Sequence, residues 1–115
     1  MQEEKLYNLL NLTNMIGTEK ESIQEFVKIF IKLANETLED INSNFDKKNY
    51  VKVGELAHKL KASIDIIGIS SLKNNIREIE NNGKEETNID KIPNLIEKLN
   101  DVINKTIVQL EKDIL

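Results

Sequence analysis

The chain contains no cysteine and only one histidine, and these scarcities remove several classes of chemistry. Without cysteine there can be no disulfide, no thiolate metal ligand and no cysteine nucleophile. A zinc site would depend on carboxylates with one imidazole, which is an unfavourable donor set, so no metal is expected. Glycine (four), proline (one) and aromatic residues (4%) are also scarce, which favours helices over β-sandwiches or barrels.

Long apolar runs and concentrated charge of one sign are also missing. No run approaches the roughly 20 apolar residues that span a bilayer, and the acidic N-terminus lacks the layout of a signal peptide. The net charge of −4 comes from interspersed residues of both signs, which disfavours nucleic-acid binding. We therefore predict one cytoplasmic domain over residues 1–115, without membrane insertion and expected to be a monomer.

The apolar residues that are present recur at three- and four-residue steps, which predicts helices. A short lead-in helix is expected over residues 5–16, ending at Gly17. Thr18 and Glu21 have the spacing of a capping box, and a long helix over about 19–43 should follow it.

Further helix signals divide the rest of the chain. Asn42-Ser43-Asn44 should end the first long helix, and Asp46 should cap a second one that runs to Ile67. Gly68 suits the left-handed position that ends a helix.

The last two helices are predicted in the same way. One starts near Ser70 or Ser71 and stops around Gly83, and residues 84–89 form a polar loop. Asp90 should cap the final helix, with Pro93 tolerated in its first turn. Because the connections are short, we predict an all-α fold, an antiparallel up-down four-helix bundle with a short N-terminal lead-in helix.

The histidine, His58, lies on the second long helix about 140° away from the predicted core direction. One turn before it is Gly54 and one turn after it is Ala62, and small residues there would leave the imidazole open to a bulky partner. Lys61 could place an ammonium beside any anionic group that His58 acquires. The core positions that define this direction are Val53, Leu56, Ala57, Leu60, Ile64 and Ile67.

Three more residues border the histidine on this helix. Val51 and Ile66 are apolar but lie outside the core sector, so they could form a docking rim. Asp65 lies on the flank of His58. Each of these residues alone would be an ordinary surface residue, and their combination around His58 is what suggests a site.

The stretch from Ala57 to Gly68 resembles the signature of histidine-containing phosphotransfer (HPt) domains. That signature reads Ala-His-x-Leu-Lys-Gly, then a small residue, then a glycine ten residues after the histidine. The chain departs from it at Ala62, where the family usually has glycine. The matching positions are Ala57, His58, Leu60, Lys61, Ser63 and Gly68, continued by Leu72 and the pair Ile79-Glu80.

This resemblance implies a phosphoryl carrier without nucleotide-binding or kinase motifs. His58 would accept a phosphoryl group from a receiver-domain aspartate and pass it to another receiver, while Lys61 offsets the charge on the phosphoryl oxygens. The partners implied are receivers, including those of a hybrid sensor histidine kinase. This domain would bind no cofactor, and Mg²⁺ would be held by the receiver. Supporting residues on the neighbouring helix vary in the family, and the candidates here are Asn75, Glu78 and Lys84.

Three alternatives stay open at this point. The same bundle could be an interaction module that binds receivers or helical partners through the Val51–Ile66 face without phosphotransfer. It could be the histidine domain of a chemotaxis-type kinase, phosphorylated by an ATP-binding domain. It could also be an unrelated structural bundle.

Overall fold

The computed structural model describes residues 4–115, and the regular structure in that range is entirely helical, as predicted. None of the helices in this range is long and apolar enough to cross a membrane. Short 3₁₀ turns at Ser70–Leu72 and Ile89–Lys91 lead into the last two α-helices. Residues 4–115 form five α-helices: α1 (Leu10–Ile16), α2 (Lys20–Asp46), α3 (Tyr50–Ile67), α4 (Lys73–Glu85) and α5 (Ile92–Asp113).

The helices pack around one aliphatic core. α2 contacts α3, α3 contacts α4, and α4 contacts α5, while α5 returns to α2. The short helix α1 lies against α2 and α3. Side chains that are almost completely buried include Phe30, Ile41, Leu60, Ile64, Ile76 and Leu99.

The lead-in helix is shorter than predicted. It begins at Leu10 rather than at residue 5. At this start the side chain of Asn8 accepts a hydrogen bond of 2.9 Å from the Leu10 amide. The preceding backbone is instead bound to α5, since the Leu6 amide donates to Gln109 Oε1 at 2.8 Å. α1 ends before Gly17 (φ 86°), as predicted.

The predicted signals at both ends of the first long helix are wrong. The residue before α2 is Glu19, and no side chain caps this end, so Thr18 and Glu21 form no capping box. α2 also runs straight through residues 42–44 and includes Asp46, which therefore caps nothing. Phe45, in the last turn of α2, packs on Tyr50 of α3 with ring centroids 5.7 Å apart, a contact that favours the helical conformation there.

The remaining boundaries are partly as predicted. Gly68 ends α3 in the left-handed conformation, with φ 74° and ψ 41°, and Pro93 lies in the first turn of α5. α4 does not stop at Gly83 but continues to Glu85, so the polar loop is shorter than expected. Asp90 lies within a 3₁₀ turn and makes no cap.

Candidate functional site

The backbones of α3 and α4 come into direct contact at two glycines. A Cβ atom on Gly54 would lie 2.6 Å from the Lys84 amide nitrogen and 2.8 Å from the Glu80 carbonyl oxygen. One on Gly83 would lie 2.7 Å from the Gly54 nitrogen and from the Tyr50 carbonyl oxygen. Both glycines are buried. The missing side chain of Gly54 makes room for α4, which differs from the predicted role of clearing the surface beside His58.

This close approach places a carboxylate of α4 beside the histidine of α3. His58 Nδ1 lies 2.5 Å from Glu80 Oε2. The same carboxylate accepts from Lys61 Nζ at 2.8 Å through Oε1 and from Lys84 Nζ at 3.0 Å through Oε2. We call these four residues the Glu80 cluster. The carboxylate side chain is only 14% exposed, whereas that of His58 is 59% exposed.

The cluster keeps Glu80 ionised. The hydrogen bond from Lys61, with further ones from Lys84 and His58, outweighs the opposing effect of burial and lowers the pKa of Glu80 to about 2. A carboxylate in this state can only accept hydrogen bonds. The ammonium groups of Lys61 and Lys84 donate two of them, and the third must come from the imidazole.

The tautomer of His58 follows from this constraint. Nδ1 carries the hydrogen that is donated to Glu80, so Nε2 has the free lone pair in the neutral ring. Nε2 is the ring nitrogen farther from the backbone, and it belongs to a side chain that is 59% exposed. In the neutral ring, the geometry therefore presents the Nε2 lone pair on an open surface, and a largely buried acceptor orients the ring through Nδ1.

Small and apolar residues lie along the same face of α3 as this imidazole. Ala62 is exposed on the next turn of α3, and Val51 is 43% exposed on the preceding turns. Ile66 is half-buried and shares a shallow depression with Met15 of α1, which is 62% exposed. α1 thus extends the apolar surface of α3, an arrangement that the helical wheel of α3 alone could not show.

Asp65 and Gly68, which were also predicted to belong to the site, contact other parts of the molecule. Asp65 faces α4, where its Oδ2 accepts from Arg77 Nη2 at 2.7 Å. Gly68 has a positive φ, and a Cβ there would overlap the Asn8 carbonyl, so its role is to let the N-terminal segment cross the end of α3.

Of the candidates on the neighbouring helix, only Lys84 reaches the site. Asn75 is buried against α5 and donates to the Leu95 carbonyl at 2.9 Å. Glu78 is exposed and lies about 200° around α4 from Glu80. Glu80 itself was noted in the sequence only as part of a motif. Two features of the sequence could have indicated Glu80. It follows the core residue Ile79, and it lies four residues before Lys84, which is the spacing of an ion pair on one helix.

Within the described range no group of three or more histidine or carboxylate side chains is placed to hold a metal ion. The Glu80 cluster contains a single carboxylate, and two ammonium groups already occupy it. Its donor set suits an anion bound near His58 rather than a cation.

A comparison with protein families identifies a matching family. The family model described as Hpt domain matches residues 25–110, which includes all of α3 and α4. No curated protein and no solved structure matches the chain. The chain belongs to the Hpt domain family, whose members act as histidine phosphocarriers in phosphorelays rather than as kinases.

Proposed function

We propose that this chain carries a phosphoryl group on Nε2 of His58, which it accepts from the phosphoaspartate of one receiver domain and passes to another. The observation that carries the proposal is the bond between His58 Nδ1 and the ionised Glu80 carboxylate, which in the neutral ring places the lone pair on Nε2 of an exposed side chain. A nucleophile held in this way needs no separate base to remove a proton.

The chemical step is an in-line displacement at phosphorus. The Nε2 lone pair forms the N–P bond while the P–O bond to the aspartyl carboxylate breaks, and that carboxylate leaves with the electron pair. The phosphorylated ring keeps its Nδ1 hydrogen and becomes cationic, and Glu80 opposes that charge at 2.5 Å. Lys61 lies one turn away and can turn its ammonium toward the phosphoryl oxygens. The receiver would hold Mg²⁺ at its own carboxylates.

The finer features of the prediction belong to the same proposal. An antiparallel up-down bundle of α2–α5 is supported by pairs of contacting residues. In these pairs the residue number increases along one helix as it decreases along the other. Examples are the pairs 58–80 and 65–77 between α3 and α4, and 24–114 and 42–100 between α2 and α5. We propose that Val51, Ala62 and Ile66 contact the docked receiver, and that the protein acts as a cytoplasmic monomer.

The test is phosphotransfer from a panel of phosphorylated receivers of the source organism, with Mg²⁺ present. We expect at least one of them to label this chain, in a bond that is labile to acid and stable to alkali. A receiver that binds the chain but never labels it would contradict the proposal and favour an interaction module without phosphotransfer.

Replacing Lys61 with alanine should slow transfer without preventing receiver binding. The ammonium contacts the developing charge on the phosphoryl oxygens, so its loss should lower the transfer rate roughly ten- to a hundredfold. Rapid-quench kinetics gives the rate, and titration calorimetry gives the affinity. The matched control is Lys32→Ala at an exposed position of α2, which should leave both quantities unchanged. An unchanged rate for Lys61→Ala would remove Lys61 from the site.

Replacing Glu80 with glutamine should disturb the tautomer of His58 as well as the rate. A neutral amide holds the Nδ1 hydrogen less strongly than a carboxylate, so we expect transfer to slow by about tenfold. The ¹⁵N shifts of the imidazole report the two tautomers directly, and the Nδ1–H form should dominate only in the parent protein. Identical ¹⁵N shifts in both proteins would show that Glu80 has no positioning role.

The same variant gives a pH-dependent stability difference. The pKa of Glu80 is lowered from 4.5 to about 2 on folding. Its stabilising contribution is therefore complete above the unfolded value and is lost as the pH falls from 4.5 towards 2. Urea unfolding measures the free energy of unfolding of the parent protein and of Glu80→Gln. The difference between these two free energies should be constant above pH 5 and should decrease below pH 4.5.

A further inference from the structure

The charge of the chain is divided between two sides of the molecule. Residues 47–84, which contain all of α3 and nearly all of α4, carry eight basic and four acidic residues, a net charge of +4. The remaining 77 residues carry eight basic and sixteen acidic residues, a net charge of −8. α3 and α4 pack side by side, with α2 and α5 on the other side of the core. A protein with a net charge of −4 therefore has a cationic side, and His58 lies on it.

The lysines flank the histidine on both sides. Lys52 and Lys59 lie about 100–120° from His58 on one side of α3, and both are exposed. On the other side are Lys61 and Lys84, whose single common acceptor is Glu80. Two ammonium groups on one carboxylate leave an excess positive charge beside the imidazole.

We propose that this cationic face, defined by Lys52, Lys59, Lys61 and Lys84, selects an anionic protein surface and speeds its encounter with His58. This inference rests on the proposed function, and the occupant it commits to is a receiver whose phosphoaspartate lies among further carboxylates. In such a site the charge of the phosphoryl group, up to about −2, replaces the single charge of the aspartate and lies beside the remaining carboxylates. The face therefore attracts the phosphorylated donor more strongly than the unphosphorylated one.

The alternation of charge on the face argues for a protein partner. Glu55, Asp65 and Glu80 lie between the basic residues, and a phosphate backbone would be repelled by each of them. Exposed charges are screened beyond a Debye length of about 10 Å at 0.1 M salt, so the acidic α2–α5 side has little influence on a partner docked at His58. Two proteins of net negative charge can then associate rapidly through this face.

The test is the salt dependence of transfer from a phosphorylated receiver that labels His58. Between about 50 and 500 mM NaCl the second-order rate constant should fall about tenfold. The double variant Lys52→Glu/Lys59→Glu should lower the rate about tenfold at low salt and flatten the salt dependence. The control Lys28→Glu/Lys32→Glu makes the same charge change on exposed positions of α2, and it should alter the rate by less than about twofold. Circular dichroism checks that both variants are folded.

Each outcome decides the inference. Equal effects of the two double variants, or a rate that is independent of salt, would overturn it while leaving phosphotransfer by His58 intact. If no receiver labels His58 at any salt concentration, the proposed function fails and this inference fails with it. Tight binding of duplex DNA that is lost in Lys52→Glu/Lys59→Glu would assign the face to nucleic acid and also overturn it.

Discussion

His58→Gln should abolish phosphoryl transfer to this protein, lowering the rate by roughly a thousandfold or more. Glutamine retains a polar side chain but has no ring nitrogen lone pair that can attack phosphorus. The substituted side chain is 59% exposed, so the free energy of unfolding should change by no more than about 0.5 kcal/mol. Transfer of ³²P from a phosphorylated receiver measures the loss, and circular dichroism measures the retained helicity.

The matched control for this variant is Lys32→Gln, which introduces the same side chain at an exposed position of α2, away from the cationic face. It should be labelled at close to the parent rate. Persistent labelling of His58→Gln would place the acceptor on another residue and contradict the central claim. Equal loss in both variants would show that the loss is not specific to the imidazole of His58.

The sequence was sufficient to predict the helices because their apolar periodicity follows from burial of one face. It was misleading at helix ends, where capping patterns are short and compete with tertiary contacts. Asn42-Ser43-Asn44 predicts a break, yet α2 continues past it to Asp46, and Phe45 in this extension packs on Tyr50 of α3. Gly83 looked like a stop, yet it lies inside α4 because a second helix backbone needs the space.

The site shows the same division between local and long-range information. The wheel of α3 correctly placed His58 on the exposed side, since that depends on one helix alone. It could not identify Glu80 as the partner of Nδ1, because this contact joins residues 22 positions apart on two helices. The register that brings them together is set by Gly54 and Gly83, and their contact was not visible in the sequence.

Gly54 either keeps the surface beside His58 open or makes room for the backbone of α4. The change in stability of Gly54→Ala has opposite signs for these two interpretations. Alanine in place of glycine inside a helix ordinarily stabilises it by about 1 kcal/mol. Here the added Cβ would lie 2.6 Å from a backbone nitrogen of α4, which cannot move without moving the helix. We expect instead a loss of about 1–3 kcal/mol, seen as a lower Tm in circular dichroism.

Gly54→Ala should also affect the imidazole of His58, because α4 carries Glu80. A displaced α4 weakens the bond to His58 Nδ1, so the Gly54→Ala protein should show the same shift in imidazole tautomer as Glu80→Gln. Gly83→Ala acts on the other side of the contact, at 2.7 Å from α3 backbone, and should reproduce both effects. A Gly54→Ala protein with a raised Tm and unchanged ¹⁵N shifts but slower transfer would instead restore the idea that Gly54 keeps the surface open. Loss of stability together with the tautomer shift would establish that the glycine pair sets the geometry of the phosphoacceptor.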